Sequence, residues 1–231
     1  MRTPHRKVYK TLHDGADGGD MLANIKKLIN SLFKDLFKGK GQIKIGLYGP
    51  PNGGKTTLAN KICMDWLGEE MGSVSPIAHE TREIQIKEQI NIKSNDRELT
   101  FNLVDTPGIS TKIDYEEFLK AGMTIKKAKA RAKEATKGVI DAIKWLDDMD
   151  VVIVVLDATQ DPYSQVNITI IGNLAAREIP VLIAANKVDL RKGNAKRIEA
   201  AFPQYDVVGI SAKYGKNIKE FYDALFDLTK S

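Results

Sequence analysis

"YGPPNGGKTTLAN", residues 48–60, brings three glycines, two prolines, a lysine and two threonines into one short bend. A strand-like run, "IKIGLYG" (43–49), precedes the bend, and a helix pattern (55–67) follows it. The bend fits the pattern G-x-x-x-x-G-K-[ST], in which backbone N–H groups and a helix N-terminus converge on phosphate oxygens. We therefore predict a strand, a phosphate-binding loop and a helix. The alternative is a glycine-rich turn that happens to precede a lysine.

The rest of the chain alternates strand and helix patterns, as expected of an α/β domain with a mostly parallel sheet. Two strand patterns (82–92 and 99–105) flank the turn "SNDR" (94–97), which predicts an antiparallel hairpin at the sheet edge. One long helical stretch (about 114–148) comes next. The later strand patterns lie at 150–158, 180–187 and 205–212, and the later helix patterns at about 163–178, 194–201 and 216–229. The α/β domain is thus predicted to occupy residues 41–231.

Two segments precede this domain. Residues 1–20 are polar and lack periodicity, which predicts a disordered tail. In residues 21–40, the run "MLANIKKLINSLFKDLFK" (21–38) repeats large apolar residues at helical spacing. Its basic residues lie on the other side of that helix: Lys26, Lys27, Lys34 and Lys38. We expect a basic amphipathic helix that binds either a membrane surface or protein, the domain itself included.

The composition is that of an ordinary globular chain. Its 231 residues are 42% hydrophobic and 28% charged, enough to bury a core without disulfides. The single cysteine, Cys63, indicates a reducing compartment, and the net charge of +5 hints at an anionic partner. Neither a bilayer-spanning run nor a secretory signal is recognised. We expect a cytoplasmic protein, peripheral to the membrane if residues 21–38 bind lipid.

The bend and a second motif, "DTPG" (105–108), carry the predicted phosphate chemistry. Lys55 would reach the β- and γ-phosphates, and the Thr56 hydroxyl would bind Mg²⁺. Asp105 would join the magnesium sphere, and the N–H of Gly108 would contact the γ-phosphate. The predicted nucleotide contacts in the bend also include Asn52, Gly53, Gly54 and Thr57.

Two further motifs, "NKVD" (186–189) and "SAK" (211–213), also follow predicted strands, where α/β sheets place their ligands. Asp189 can accept two hydrogen bonds from the N1–H and 2-amino group of guanine, a pair that adenine lacks. Asn186 and the stem of Lys187 would frame the base. Backbone N–H groups of the last motif would receive the guanine O6, and the candidates are Ser211, Ala212 and Lys213.

In this order, "GPPNGGKT", "DTPG", "NKVD" and "SAK" resemble the translation-factor-related P-loop GTPases, most closely the Era and TrmE-like branch, over residues 43–230. The resemblance implies a Ras-like, six-stranded, mostly parallel sheet flanked by helices. It also implies a small protein that binds GTP, hydrolyses it to GDP with Mg²⁺ and acts as a nucleotide-controlled switch. Neither the KH domain of Era nor the partner domains of TrmE are recognised, so ribosome binding and tRNA modification are not carried over.

By the same resemblance the first switch lies at 68–82. There Thr81, within "HETRE" (79–83), would be the second magnesium ligand and would close on the bound nucleotide. The alternative is that Thr81 merely starts the edge strand.

Two residues bear on the rate of hydrolysis. Ile109 stands where many switch GTPases carry a glutamine that orients the attacking water. We therefore expect slow hydrolysis, unless another element positions the water. The alternative is a GTP-controlled scaffold with negligible turnover. Asn52 matches an asparagine that helps to hold K⁺ in potassium-stimulated relatives, which suggests K⁺ as a second cofactor. The alternative is that Asn52 only shapes the turn.

The segment "TIKKAKARAKEATKG" (124–138) predicts a strongly basic, alanine-rich helix within the second switch. It would present a nucleotide-controlled surface to RNA or to an acidic partner, as in an RNA- or ribosome-associated assembly factor. The alternative is a solvated helical face. The sequence leaves the oligomeric state open, a nucleotide-dependent dimer included.

Overall fold

The computed structural model describes residues 43–72, 83–94, 97–110, 113 and 115–229. The predicted tail (1–20), the predicted amphipathic helix (21–40) and Thr81 lie outside these residues and stay predictions.

Six strands form one sheet, in the order β2-β3-β1-β4-β5-β6. The strand β2 runs antiparallel to β3, and the other neighbouring pairs are parallel. The strands are β1 (Ile43–Tyr48), β2 (Gln85–Ser94), β3 (Arg97–Asp105), β4 (Val151–Asp157), β5 (Val181–Asn186) and β6 (Asp206–Gly209). The predicted six-stranded, mostly parallel sheet is confirmed. β6 is shorter than the strand pattern at 205–212 suggests.

Helices cover both faces of the sheet, which explains why β4 and β5 are almost continuously apolar and buried. The helices are α1 (Lys55–Leu67), α2 (Tyr115–Lys120), α3 (Ile125–Trp145), α4 (Gln165–Ala176), α5 (Ala195–Ala201) and α6 (Ile218–Thr229). Residues of α1 and α6 pack in one core, and residues of α3, α4 and α5 pack in the other. None of the helices in the described part of the chain is long and apolar enough to cross a membrane.

The single helical stretch expected at about 114–148 is wrong, because the chain breaks it into α2 and α3, followed by a 3₁₀ turn (Leu146–Asp148). Gly122 has φ +87°, a left-handed conformation that ends α2. Its N–H donates to the Leu119 carbonyl at 2.9 Å, and the Met123 N–H donates to the Phe118 carbonyl at 3.1 Å. We call residues 115–145 the two-helix insertion.

The two-helix insertion has a small apolar cluster formed by Phe118, Ala128 and Ala135. The guanidinium of Arg131, only 5% exposed, lies 6.0 Å from the centre of the Phe118 ring. On the sheet side, the hydroxyl of Tyr48 donates a 3.0 Å hydrogen bond to the Ala142 carbonyl, which ties α3 to the end of β1.

The predicted edge hairpin is present, with a bulge in one strand and ion pairs near its turn. A bulge interrupts β2 between Lys87 and Ile90, where the Asn102 side chain accepts a 2.9 Å hydrogen bond from the Gln89 N–H. Near the hairpin turn, Arg97 forms ion pairs with Asp223 at 2.6 Å and Asp227 at 2.9 Å on α6. The hairpin is thereby fastened to the last helix.

Candidate functional site

The phosphate-binding loop connects β1 to α1 at the carboxyl edge of the sheet. Gly54 has φ +99°, and a Cβ there would lie 2.2 Å from the side-chain nitrogen of Asn186. Only glycine fits this position without a rearrangement. Asn52 is exposed in the loop with φ +59°, a conformation that asparagine tolerates better than most residues.

Lys55 is buried at the start of α1 with its charge turned back toward the loop. Its Nζ donates to the carbonyls of Gly49 at 3.2 Å and Pro50 at 3.0 Å. Burial lowers its pKa to about 8, against the opposing attraction of the Asp105 carboxylate. An anion entering the loop would therefore supply the counter-charge that this ammonium group lacks.

Thr56 and Asp105 meet where α1 begins and β3 ends. The Thr56 hydroxyl donates a 2.7 Å hydrogen bond to Oδ2 of Asp105, whose side chain is completely buried. Burial raises the Asp105 pKa, although the Thr56 hydroxyl and the Lys55 charge both act to lower it. The other oxygen, Oδ1, is buried and has no hydrogen-bond partner among the described residues. This orphaned hard oxygen beside a hydroxyl fits a Mg²⁺ ion.

The segment "DTPG" packs directly on the phosphate-binding loop. The N–H of Ile109 donates to the Gly49 carbonyl at 3.0 Å, and a Cβ on Gly108 would lie 2.8 Å from the Cα of Pro51. The Ile109 side chain is 4% exposed and lies in the core shared with α3 and α4. It is a packing residue, as its apolar character suggests.

Asn186 joins three of the predicted motifs. Its side-chain nitrogen donates to the Gly53 carbonyl at 2.9 Å, and its side-chain oxygen accepts from the Ala212 N–H at 3.0 Å. The residue is 3% exposed, so both bonds are shielded from water. The phosphate-binding loop, "NKVD" and "SAK" are brought together by one amide group.

The remaining residues of the predicted base site lie around this junction. The Val188 N–H donates to the Ile210 carbonyl at 3.1 Å, which holds "NKVD" beside "SAK". Ser211 and Ala212 are buried, whereas Asp189 and Lys213 are exposed. Of the other loop contacts, Gly53 is buried and Thr57 is half-buried.

Sequence reasoning missed Asp157, which pairs with Lys187. The Lys187 Nζ lies 2.6 Å from Oδ2 of Asp157, and the two residues belong to neighbouring parallel strand ends. The sequence did offer a signal for Asp157, because a carboxylate at the carboxyl end of a buried strand lies where α/β sheets place their ligands. Asp105 occupies the same kind of position.

Comparison with known proteins gives a family match across most of the described sheet. Residues 44–187 match the family model described as "50S ribosome-binding GTPase". "GTPase Era, mitochondrial" from Danio rerio is 30% identical over 155 residues, covering 66% of this chain and 30% of that protein. "tRNA modification GTPase MnmE" from Clostridioides difficile is 29% identical over 219 residues, covering 94% of this chain and 40% of that protein.

Among solved structures, the chain is similar to Era in complex with MgGDPNP and a segment of 16S ribosomal RNA. The TM-score is 0.60 at 25% identity, over 80% of this chain and 56% of that one. The predicted resemblance and fold class are thus confirmed. The chain spans 30% of the length of the first of these curated relatives and 40% of the second.

Proposed function

Because the chain belongs to the 50S ribosome-binding GTPase family, we propose that it binds GTP, hydrolyses it to GDP and acts as a nucleotide-controlled switch. The observation that carries the proposal is the Asn186 side chain, which joins the phosphate-binding loop to the two base-recognition motifs. A GTPase site needs these segments in one place, and the two hydrogen bonds of the Asn186 side chain support that arrangement.

Different groups of the chain would contact the phosphates, the base and the magnesium ion. Lys55 would exchange its two carbonyl partners for β- and γ-phosphate oxygens, which are better acceptors for a buried cation. Asp189 would accept the two guanine N–H groups, and the Gly108 N–H would contact the γ-phosphate. Thr56 and Asp105 would hold Mg²⁺, joined by Thr81 in the closed state, and the ion would neutralise charge on the phosphates. These assignments are the predicted ones.

Titration with GTP and ATP tests the proposal directly. We expect calorimetry to give tight GTP and GDP binding and much weaker ATP binding, and single-turnover assays to release phosphate slowly. The Lys55→Ala variant is the control for phosphate binding. Equal affinity for ATP and GTP contradicts the proposal. GTP binding without phosphate release, even in KCl, favours the alternative of a scaffold whose output is the bound state.

Potassium stimulation through Asn52 is part of the same proposal. The exposed position of Asn52 in the phosphate-binding loop supports it, because an ion beside the phosphates could reach an exposed side chain there. Asn52→Gly is a sharp test: glycine adopts φ +59° without strain and lacks the amide oxygen. We expect KCl to accelerate turnover over NaCl in the wild type and not in Asn52→Gly. Measurements across protein concentrations would also detect a nucleotide-dependent dimer, and equal rates in both salts contradict the potassium site.

A second candidate function, RNA binding, is favoured by the outer face of α3. Its buried residues, Ala128, Arg131 and Ala135, lie on one side of the helix. Exposed lysines at i, i+3, i+7 and i+11 occupy another side: Lys126, Lys129, Lys133 and Lys137. A row of cations suits the phosphate backbone of RNA, and the solved Era structure above contains 16S ribosomal RNA.

The RNA candidate predicts a steep salt dependence. We expect the four lysine-to-glutamine substitutions to weaken RNA binding and to lower the salt slope by about three. A control variant with the same charge change elsewhere, Lys93, Lys192, Lys196 and Lys219 to Gln, keeps the wild-type slope. An equal effect of both variants would show that only net charge matters, and binding to an acidic protein instead would contradict the RNA candidate.

Recruitment through residues 21–38 remains a proposal supported by the sequence alone. The apolar stripe opposite lysines suits a membrane surface, which would make the protein cytoplasmic and peripheral to the membrane. Flotation with anionic liposomes should carry the wild type and leave Phe33→Asp/Phe37→Asp behind. If both remain in solution, the membrane proposal is contradicted and the alternative of a protein contact is left.

A further inference from the structure

Lys187, in the base-recognition motif "NKVD", has an unusual backbone. Its φ is +68°, in the left-handed region that non-glycine residues rarely occupy. Such a conformation persists only where the surroundings fix it. Two backbone contacts help, because the Lys187 carbonyl accepts from the Leu190 N–H at 3.1 Å and the next residue, Val188, donates to Ile210.

The Lys187 side chain is fixed as well, by a carboxylate outside the recognised motifs. Its Nζ lies 2.6 Å from Oδ2 of Asp157, and the two side chains are 30% and 14% exposed. The other oxygen of Asp157 accepts from the Thr159 N–H at 2.9 Å and from the Thr159 hydroxyl at 2.6 Å. Both oxygens of the carboxylate are therefore engaged, and its orientation is set before it meets the lysine.

Burial tends to raise the pKa of Asp157, but the hydrogen bonds from Lys187 and Thr159 outweigh it and leave the pKa below its ordinary value. The carboxylate is thus charged at neutral pH. A charged acceptor for an ammonium group makes a shorter and stronger hydrogen bond than a neutral one.

The backbone around Asp157 is tied to the same motif. The Ala158 N–H donates to the Asn186 carbonyl at 2.8 Å, and the Asn194 N–H donates to the Ala158 carbonyl at 3.0 Å. Asp157 and Asn186 are also direct partners in the β4–β5 register. The loop after β4 is therefore hydrogen-bonded to the base-recognition motif and supports it.

We propose that Asp157 is a positioning residue for guanine recognition, which holds the Lys187 side chain in place before the nucleotide binds. The inference rests on the proposed function, because it assumes that guanine occupies the site beside "NKVD". Ordering a long lysine side chain opposes binding, and Asp157 removes that cost by ordering the side chain in the free protein.

The inference predicts which kinetic steps change. Asp157 acts on the half of the site that would hold the base, so GDP and GTP should lose affinity by the same factor. Phosphate chemistry takes place at Lys55 and Asp105, on the other side of the Asn186 junction. The KM for GTP should therefore rise while kcat stays the same.

The decisive experiment compares nucleotide release from purified Asp157→Asn and wild-type protein. We expect Asp157→Asn to release fluorescent GDP and GTP analogues about tenfold faster, a typical coupling for two residues in contact. Asp161→Asn is the matched control, because it replaces a carboxylate by an amide only four residues along. The Asp161 carboxylate accepts from the Tyr163 N–H and does not contact Lys187. Asp157→Glu, which keeps the carboxylate, should restore most of the residence time.

A double-mutant cycle separates positioning from a merely structural role. Lys187→Met keeps the stem and removes the ammonium group, so Asp157→Asn should accelerate release no further in that background. Additive effects, or release from Asp157→Asn at the wild-type rate, would overturn the inference while leaving the proposed function intact. If wild-type protein binds no guanine nucleotide, both fail. Should Asp157→Asn not fold, an unchanged release rate in Lys187→Met overturns the inference equally well.

Discussion

The side-chain nitrogen of Asn186 donates a 2.9 Å hydrogen bond to the backbone oxygen of Gly53, a residue 133 positions away in sequence. The oxygen of the same amide accepts from the Ala212 N–H at 3.0 Å. Because Asn186 is 3% exposed, both bonds are shielded from water. We therefore expect the proposed phosphate and base halves of the site to fold and to bind nucleotide as one cooperative unit.

Replacing Asn186 with alanine should damage stability and nucleotide binding together. Two buried polar groups, the Gly53 carbonyl and the Ala212 N–H, would lose their partner, at a combined cost of about 2–4 kcal/mol. Denaturant unfolding and GDP binding measure the two effects. Asn173→Ala, on the half-buried outer side of α4, is the control, and a variant that binds GDP normally would contradict the cooperative unit.

Nucleotide affinity should fall as pH rises above about 8, the value to which burial lowers the Lys55 pKa. In the free protein Lys55 loses its proton through this range, and binding of phosphate favours the charged form. Binding above pH 8 should thus take up about one proton, which calorimetry in buffers of different ionisation enthalpy detects. No difference between buffers at pH 9 would contradict this.

The lowered pKa of Lys55 should also change the stability of the protein with pH. Between pH 8 and 10.5 the folded state has released the Lys55 proton while the unfolded state still binds it. The free energy of unfolding should therefore gain about 3 kcal/mol from this group as pH rises through the window. Lys55→Met should lack the gain, whereas Lys219→Met, at an exposed position, should keep it.

Magnesium should strengthen nucleotide binding through Asp105. The orphaned Oδ1 and the Thr56 hydroxyl form the proposed ion site, so Asp105→Asn should reduce the difference in GDP affinity between Mg²⁺ and EDTA buffers by about tenfold or more. Affinity in EDTA should change little by comparison. Thr56→Val probes the other ligand, and a full magnesium effect in both variants would exclude this pair as the ion site.

Introducing a glutamine at position 109 should not accelerate hydrolysis. The Ile109 side chain is 4% exposed in the apolar core, so Ile109→Gln would bury an amide there at a cost of about 1–3 kcal/mol. Thermal unfolding and single-turnover phosphate release measure both effects. Ile109→Val is the control, and faster turnover in Ile109→Gln would show that this side chain can reach the nucleotide.

Base selection should depend on Asp189. Substitution with asparagine replaces one of the two acceptors that guanine needs by a donor, so Asp189→Asn should reduce the preference for GTP over ATP by about 100-fold or more. Competition between the nucleotides on wild type and variant gives the ratio. Asp206→Asn, an exposed carboxylate on β6, should leave the ratio unchanged.

The strands and the phosphate-binding loop are predictable because both depend on local signals. Apolar runs between turn residues define β4 and β5, and glycine spacing defines the loop around Gly54. The break at Gly122 was not predicted, although a glycine inside a helical pattern is a local signal for the end of a helix. In the structure the left-handed φ of Gly122 ends α2.

Contacts between distant residues are harder to predict. Asp157 and Lys187 are 30 positions apart, and they meet only because β4 and β5 pair in one register. Likewise, the sequence shows that Ile109 is apolar, but only the packed core shows that it faces inward. Such contacts follow from the alignment of whole elements, which local patterns do not encode.

One part of the two-helix insertion packs around its own cluster of Phe118, Ala128 and Ala135, whereas the end of α3 joins one of the sheet cores through Ala142. Substitutions on its outer face can therefore accumulate over evolution without disturbing the phosphate-binding loop. The tether from Tyr48 to the Ala142 carbonyl still connects the insertion to the strand that leads into that loop. The partner bound by this outer face could thus change while the proposed nucleotide site stays the same.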